Sequence, residues 1–147
     1  MEQSEAQETL QSFWQQWCLE HNGQLPSRRD MDTRENKRHF PYVVVFDILD
    51  DPLDFQYRLV GTRVRENTFA DYTGKSLSQM DGKGPGSKIW SFLDTARTSK
   101  ETSFAQVPYV GPKKEFMKSS LLFLPLASDN HTPDKIFLVS HFYYCTE

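Results

Sequence analysis

The sequence predicts an α+β domain: a five-stranded antiparallel sheet with helices on one face and an additional helix at the amino terminus. Three observations support this fold class. Apolar residues recur at helical spacing near the amino terminus, five later runs are rich in β-branched and aromatic residues, and short turn signals join most of these runs. Strands joined by short turns pair antiparallel. A chain of 147 residues has the usual size of a domain with one hydrophobic core.

The amino-terminal segment, residues 1–23, is predicted to form an amphipathic helix. Ser4 and Gln7 have the spacing of a capping box, and Gly23 suits the left-handed residue that follows a helix. The apolar side chains fall on a single stripe, which consists of Leu10, Phe13, Trp14 and Trp17. This stripe must be buried, either against the domain's own sheet or against the same helix of a second subunit, in which case it is the interface of a homodimer.

Residues 24–147 are expected to form the sheet domain as one compact unit. A short helix is predicted to begin at Asp32, with Glu35 as its capping partner. A β-branched and aromatic run over residues 42–49 predicts the first strand, and alternation of apolar and polar residues over 55–59 predicts the second. The turn signal Asp50-Asp51-Pro52 joins the two strands into a hairpin.

The remainder of the chain predicts a middle helical region and three further strands. Apolar residues at helical spacing over 89–96 indicate a helix. The strand-like runs cover residues 102–110, 115–127 and 135–144. The order of elements is therefore a helix, two strands, helices and three strands, which is an α+β arrangement.

Composition and charge disfavour several classes of function. A net charge of −3 does not provide the basic face that nucleic acid requires. No apolar run is long enough to span a membrane, and the first residues lack the basic and apolar parts of a signal peptide, so a cytoplasmic protein is expected. The two cysteines, Cys18 and Cys145, lie near opposite ends and are expected to be thiols rather than a disulfide.

Several short motifs follow one another along the chain. They are Leu25-Pro26-Ser27-Arg28, Tyr57-Arg58-Leu59-Val60-Gly61-Thr62, Asp71-x-Thr73-Gly74 and Leu122-Phe123-Leu124-Pro125-Leu126. Together with the order of elements, these motifs resemble a bacterial family of short, often free-standing PAS proteins. The resemblance extends from about Trp17 to the end of the chain. It implies a sensory or signal-relay domain, and it implies no particular ligand.

The resemblance also implies a pocket between the sheet and the middle helices, suited to a small and mainly apolar ligand. Alternation along the strands and helical spacing suggest the lining residues, which are Phe55, Tyr57, Leu59, Phe69, Trp90, Leu93, Leu121 and Phe123. Tyr57 and Trp90 are able to orient a ligand through hydrogen bonds. Phe69 stands where similar proteins often carry Gly, so its ring is expected to fill part of the pocket.

Known cofactors of similar proteins are disfavoured. PAS domains that bind haem resemble one another in offering a His from the middle helices, and flavin-binding light sensors need a Cys there, whereas residues 63–100 contain neither. No close pair of metal-binding residues and no motif of nucleophilic catalysis occurs, so a non-enzymatic role is expected, with a separate signalling protein as the receiver. The alternative left open is a ligand-free interaction module that dimerises through the amino-terminal helix and the sheet face.

Overall fold

The structure, a computed structural model, describes residues 3–113 and 118–144. Its helices are α1 (Glu5–Glu20), α2 (Arg28–Met31), α3 (Arg34–Lys37), α4 (Thr62–Arg65) and α5 (Lys88–Ser99). Its strands are β1 (Val43–Leu49), β2 (Asp54–Val60), β3 (Ser103–Pro108), β4 (Lys118–Leu126) and β5 (Lys135–Tyr143). The strands form one antiparallel sheet in the order β2-β1-β5-β4-β3. The α+β fold predicted from the sequence, with its amino-terminal helix, is confirmed.

The helix α1 begins with the capping box that the sequence predicted. The Ser4 hydroxyl accepts a hydrogen bond from the Gln7 backbone N–H at 3.1 Å, and Gln7 Oε1 accepts one from the Ser4 N–H at 2.9 Å. The same Gln7 side chain is buried, and its Nε2 donates to the carbonyl oxygens of Val139 at 3.0 Å and Ser120 at 3.2 Å. One side chain therefore caps the helix and ties it to the neighbouring strands β4 and β5.

The face of the sheet that α1 covers is called here the outer face. Leu10 is fully buried in this core, and Trp14 is buried with its indole N–H donating to the Pro125 carbonyl at 2.8 Å. Phe13 is half-buried at the margin of the same cluster, and Trp17 is half-buried and stacks on His21. Leu10, Phe13 and Trp14 of the apolar stripe thus pack on the domain's own sheet. This corrects the predicted dimer interface for Leu10 and Trp14, whose side chains are already covered.

The opposite face of the sheet, called here the inner face, is covered by α4, α5 and the loops between them. Phe46, Phe55, Leu93 and Phe123 are fully buried at its centre. The middle helices therefore share one face, as predicted, and α1 covers the other. The sheet lies between two hydrophobic cores.

A β-bulge in β2 decides which of its side chains point to the inner face. Phe46 pairs with Tyr57, but the preceding residue Val45 pairs with Leu59, so Arg58 is an extra residue in the ladder. Because the extra residue shifts the alternation by one position, Tyr57 faces inwards while Leu59 faces outwards, where it is 37% exposed. The placement of Leu59 in the pocket, which rested on unbroken alternation, is wrong.

The prediction of a short helix that begins at Asp32 is also wrong in its boundaries. Two four-residue helices occupy this region instead. Ser27 caps α2 in a capping box with Asp30, and Thr33 caps α3 through the backbone N–H of Asn36. Asp32 lies between them as the last residue of the first turn. Each hydroxyl accepts a hydrogen bond from the backbone N–H three residues later, so each one caps a separate turn of helix.

Gly61, in the run Tyr57–Thr62, lets the chain after β2 pass close to a short 3₁₀ turn at Phe40–Tyr42. A Cβ at this position would lie 2.4 Å from the Pro41 carbonyl oxygen. The Gly61 N–H donates to the Val43 carbonyl at 2.8 Å. Any larger residue would push the chain away from this turn, so the glycine is required where α4 is joined to the sheet.

Candidate ligand-binding site

A cavity of about 280 Å³ lies between the inner face of the sheet and the segment from α4 to the start of α5. Most of its wall is apolar, and the aliphatic lining residues include Val44, Val60, Val64, Ile89, Leu121 and Leu138. Phe69 and Val110 stand at its mouth, where they are 67% and 82% exposed. Its volume is close to the lower end of the range for small-molecule sites, about 300 Å³.

Of the eight residues predicted to line a pocket, Tyr57, Phe69 and Leu121 line this cavity. Phe69 does not fill it as expected, because the ring stands at the mouth. The other aromatic and aliphatic residues belong elsewhere. Phe55, Leu93 and Phe123 are fully buried in the solid core, Trp90 packs edge-on against Phe55, and Leu59 lies on the outer face. Alternation identifies the inward side of a strand, but it does not show which stretch of that side the helices leave uncovered.

The Asp71-x-Thr73-Gly74 motif builds the turn that brings Tyr72 to the cavity. Asp71 Oδ1 accepts hydrogen bonds from the Thr73 hydroxyl at 2.7 Å and the Thr73 backbone N–H at 3.0 Å, and these bonds lower the pKa of Asp71. Gly74 follows with a φ of +88°, and its N–H donates to the Tyr57 carbonyl at 2.7 Å. The turn is thus hydrogen-bonded to the edge of the sheet, which places the Tyr72 ring 5.6 Å from that of Tyr57.

Lys83 supplies the ammonium group of the cavity wall. Its Nζ donates to the Tyr57 hydroxyl at 3.0 Å and lies 4.4 Å from the centre of the Tyr72 ring, a cation–π contact. Burial lowers the pKa of Lys83, whereas burial and the neighbouring Tyr72 raise the pKa of Tyr57. None of the ion pairs among residues 3–113 and 118–144 includes Lys83.

Two serine hydroxyls face the cavity from the central strands. Ser119 is 5% exposed and Ser140 is 4% exposed, and within the part of the chain that the structure describes neither hydroxyl has a hydrogen-bond partner. Leu121 pairs with Ser140 and Phe142 pairs with Ser119, so the two serines are diagonal neighbours on adjacent strands. They add two hydroxyl groups to a wall that is mostly apolar.

The sequence carried a signal for the serines that was missed. Ser119 shares its alternation with Leu121 and Phe123, both predicted to line the pocket, so its hydroxyl had to face the same side. Lys83 and Tyr72 lie in loops, where no periodicity indicates direction. Their place at the cavity follows from the turns that carry them.

The described residues contain no group of three or more side chains placed to hold a metal ion. Within the same ranges, no helix has both the length and the apolar character needed to cross a bilayer.

A family model described as PAS domain matches residues 2–139. The chain belongs to the PAS domain family. PAS domains are sensory and signalling modules, and the match takes in α1 as well as the whole sheet except the end of β5. The cavity of this PAS domain lies where the resemblance implied a pocket, between the sheet and the middle helices.

A solved structure agrees with the fold of this PAS domain. It is the sensory box sensor histidine kinase from Vibrio cholerae, with a TM-score of 0.53 and 16% identity over 70% of this chain and 83% of that one. At this identity the likeness concerns the fold. No curated protein matches the chain.

Proposed function

We propose that this PAS domain senses a small, mainly apolar molecule that binds in the cavity on the inner face of the sheet. The observation that carries the proposal is the cavity itself, about 280 Å³ of space bounded mostly by apolar side chains. Protein interiors are close-packed, with few voids larger than a water molecule. Apolar space of this size, opening to solvent beside Phe69, suits a ligand.

A single strand, β4, connects the cavity wall to the helix on the outer face. Ser119 and Leu121 of β4 face the cavity, and Ser120 between them bonds to Gln7 of α1 on the outer face. A ligand that binds one packing arrangement of these strands better than another shifts the population towards it. We propose that α1 reports this shift to a separate signalling protein.

The first test is the mass of the purified protein under native and denaturing conditions. An adduct that is lost on denaturation is the expected result, and its mass gives the class of ligand. The second measurement is titration with the neutral dye N-phenyl-1-naphthylamine, whose fluorescence rises in an apolar site. Uptake of the dye is expected if the cavity accepts apolar molecules without a charged group.

A matched pair of variants tests whether the dye binds in the cavity. Leu121→Trp fills part of the cavity and is expected to weaken dye binding by about tenfold or more, a free-energy change of about 1.4 kcal/mol. Leu59→Trp makes the same change on the outer face and is expected to leave binding unchanged. Thermal unfolding checks that both variants are folded. Absence of both adduct and dye uptake would favour the ligand-free interaction module instead.

A further inference from the structure

We infer that the molecule bound in this cavity is a small amphipathic carboxylic acid whose carboxylate pairs with Lys83, an inference that rests on the proposed function. The cavity wall offers one ammonium group and a long apolar surface. The matching ligand therefore carries one negative charge at one end and hydrocarbon along the rest of its length.

The first support is the missing counter-ion. Lys83 and Lys135 are both half-buried beside the sheet, and they differ in their partners. Lys135 forms an ion pair with Asp47 at 2.7 Å. Lys83 has a tyrosine hydroxyl and two aromatic rings, and among the described residues no carboxylate pairs with it. A charge removed from water is stabilised most by an opposite charge. Since no described carboxylate supplies one to Lys83, we infer that the ligand does.

The second support is the donor capacity of the Lys83 ammonium. An ammonium group has three N–H donors, and the Tyr57 hydroxyl accepts one of them. A carboxylate at the same Nζ would accept the others in charge-assisted hydrogen bonds, which are about twice as strong as neutral ones. It would also oppose the effect of burial, which lowers the pKa of Lys83.

The third support is the shape of the wall beyond Lys83. Phe46 pairs with both Tyr57 and Ile136, so these residues form one row across the sheet. Ser140, at the other end of the cavity, lies four residues farther along β5 than Ile136, which is about 13 Å at the usual rise of a strand. Aliphatic side chains make up much of the cavity wall. This geometry suits an elongated ligand with its carboxylate at the Lys83 end.

Three compounds with the same chain length separate charge from hydrophobicity: octanoate, octan-1-ol and octylamine. Each is titrated into the full chain at pH 7.5 and low salt, by calorimetry or by displacement of N-phenyl-1-naphthylamine. Octanoate is expected to bind about tenfold more tightly than octan-1-ol, since a paired charge at this site is worth about 1.4 kcal/mol or more. Octylamine is expected to bind more weakly than both.

Two lysine variants test whether the Lys83 ammonium is the reason that octanoate binds more tightly than octan-1-ol. Lys83→Met keeps the apolar stem and removes the ammonium, so octanoate affinity is expected to fall about tenfold while octan-1-ol affinity changes by less than about threefold. Lys75→Met is the matched control, because the Lys75 Nζ lies 6.0 Å from the centre of the Tyr72 ring but the residue is exposed and outside the cavity lining. It is expected to bind all three compounds as the natural chain does.

The outcomes distinguish the inference from the proposed function. Octan-1-ol binding as tightly as octanoate, or octanoate keeping its advantage in Lys83→Met, overturns the inference and leaves a cavity for apolar ligands. Preference for octylamine overturns it in the same way. Failure of all three compounds to bind, together with no dye uptake, overturns both.

Discussion

The two faces of the sheet are built from alternate residues of the same strands, yet the packing against them differs. On the outer face, Leu122 and Leu124 pack into a filled core under α1. On the inner face, Ser119 and Leu121 of the same strand border a cavity of about 280 Å³. One long, well-capped helix covers the outer face, whereas short helices and loops cover the inner one. The interrupted cover of the inner face leaves the cavity in which we propose that a ligand binds.

The polar groups of the two faces differ in the same way. The outer core contains Gln7, Ser120 and the Trp14 indole, and each has hydrogen-bond partners within the chain. The inner cavity contains the hydroxyls of Ser119 and Ser140 with no partner among the described residues. The hydrogen bonds of the outer core fix how α1 docks on the sheet. The proposed ligand would meet the two serines without breaking a hydrogen bond within the described chain.

The largest expected difference between the faces is in the cost of truncating a leucine. Leu10→Ala is expected to lower the free energy of unfolding by about 2 to 5 kcal/mol, because Leu10 is fully buried in a filled core. Leu121→Ala is expected to cost about 1 to 2 kcal/mol, because this side chain borders existing space. Urea unfolding measures both. Equal losses would mean that the inner face is as tightly packed as the outer one.

A smaller difference is expected between two serines on neighbouring strands. Ser120→Ala removes a hydroxyl that exchanges hydrogen bonds with Gln7, and is expected to cost about 1 kcal/mol. Ser140→Ala is expected to change the free energy of unfolding by less than about 0.5 kcal/mol, because its hydroxyl has no described partner to lose. The same urea titration compares them. A larger loss for Ser140→Ala would show that the hydroxyl is satisfied in the ligand-free protein.

The smallest effect is expected at the mouth of the cavity. Phe69→Ala should change the free energy of unfolding by less than about 0.5 kcal/mol, because the ring is 67% exposed. Octan-1-ol affinity should change by less than about threefold. A loss of stability above about 2 kcal/mol would indicate a ring packed inside the cavity, which is what the sequence had predicted.

Local sequence determined the elements of this protein. The hydroxyl of Ser4 and the side chain of Gln7 are three residues apart, so the start of α1 followed from spacing alone. β-Branched runs and turn residues likewise predicted five strands close to their observed positions. Gly74 also has a local reason, its positive φ, whereas Gly61 is required by the close approach of Pro41, a tertiary contact.

Tertiary structure decided what each side chain faces. One extra residue in β2 sends Leu59 to the outer face while Tyr57 remains on the inner one. The aromatic residues expected to form a pocket instead fill the core, because the position of α5 over the sheet determines which space remains. Lys83 reaches the cavity only through the turn that follows Met80. The periodicity of a segment predicts which way its side chains point. A cavity, however, is space left between segments that are distant in the sequence. No single segment therefore carries a pattern that predicts it.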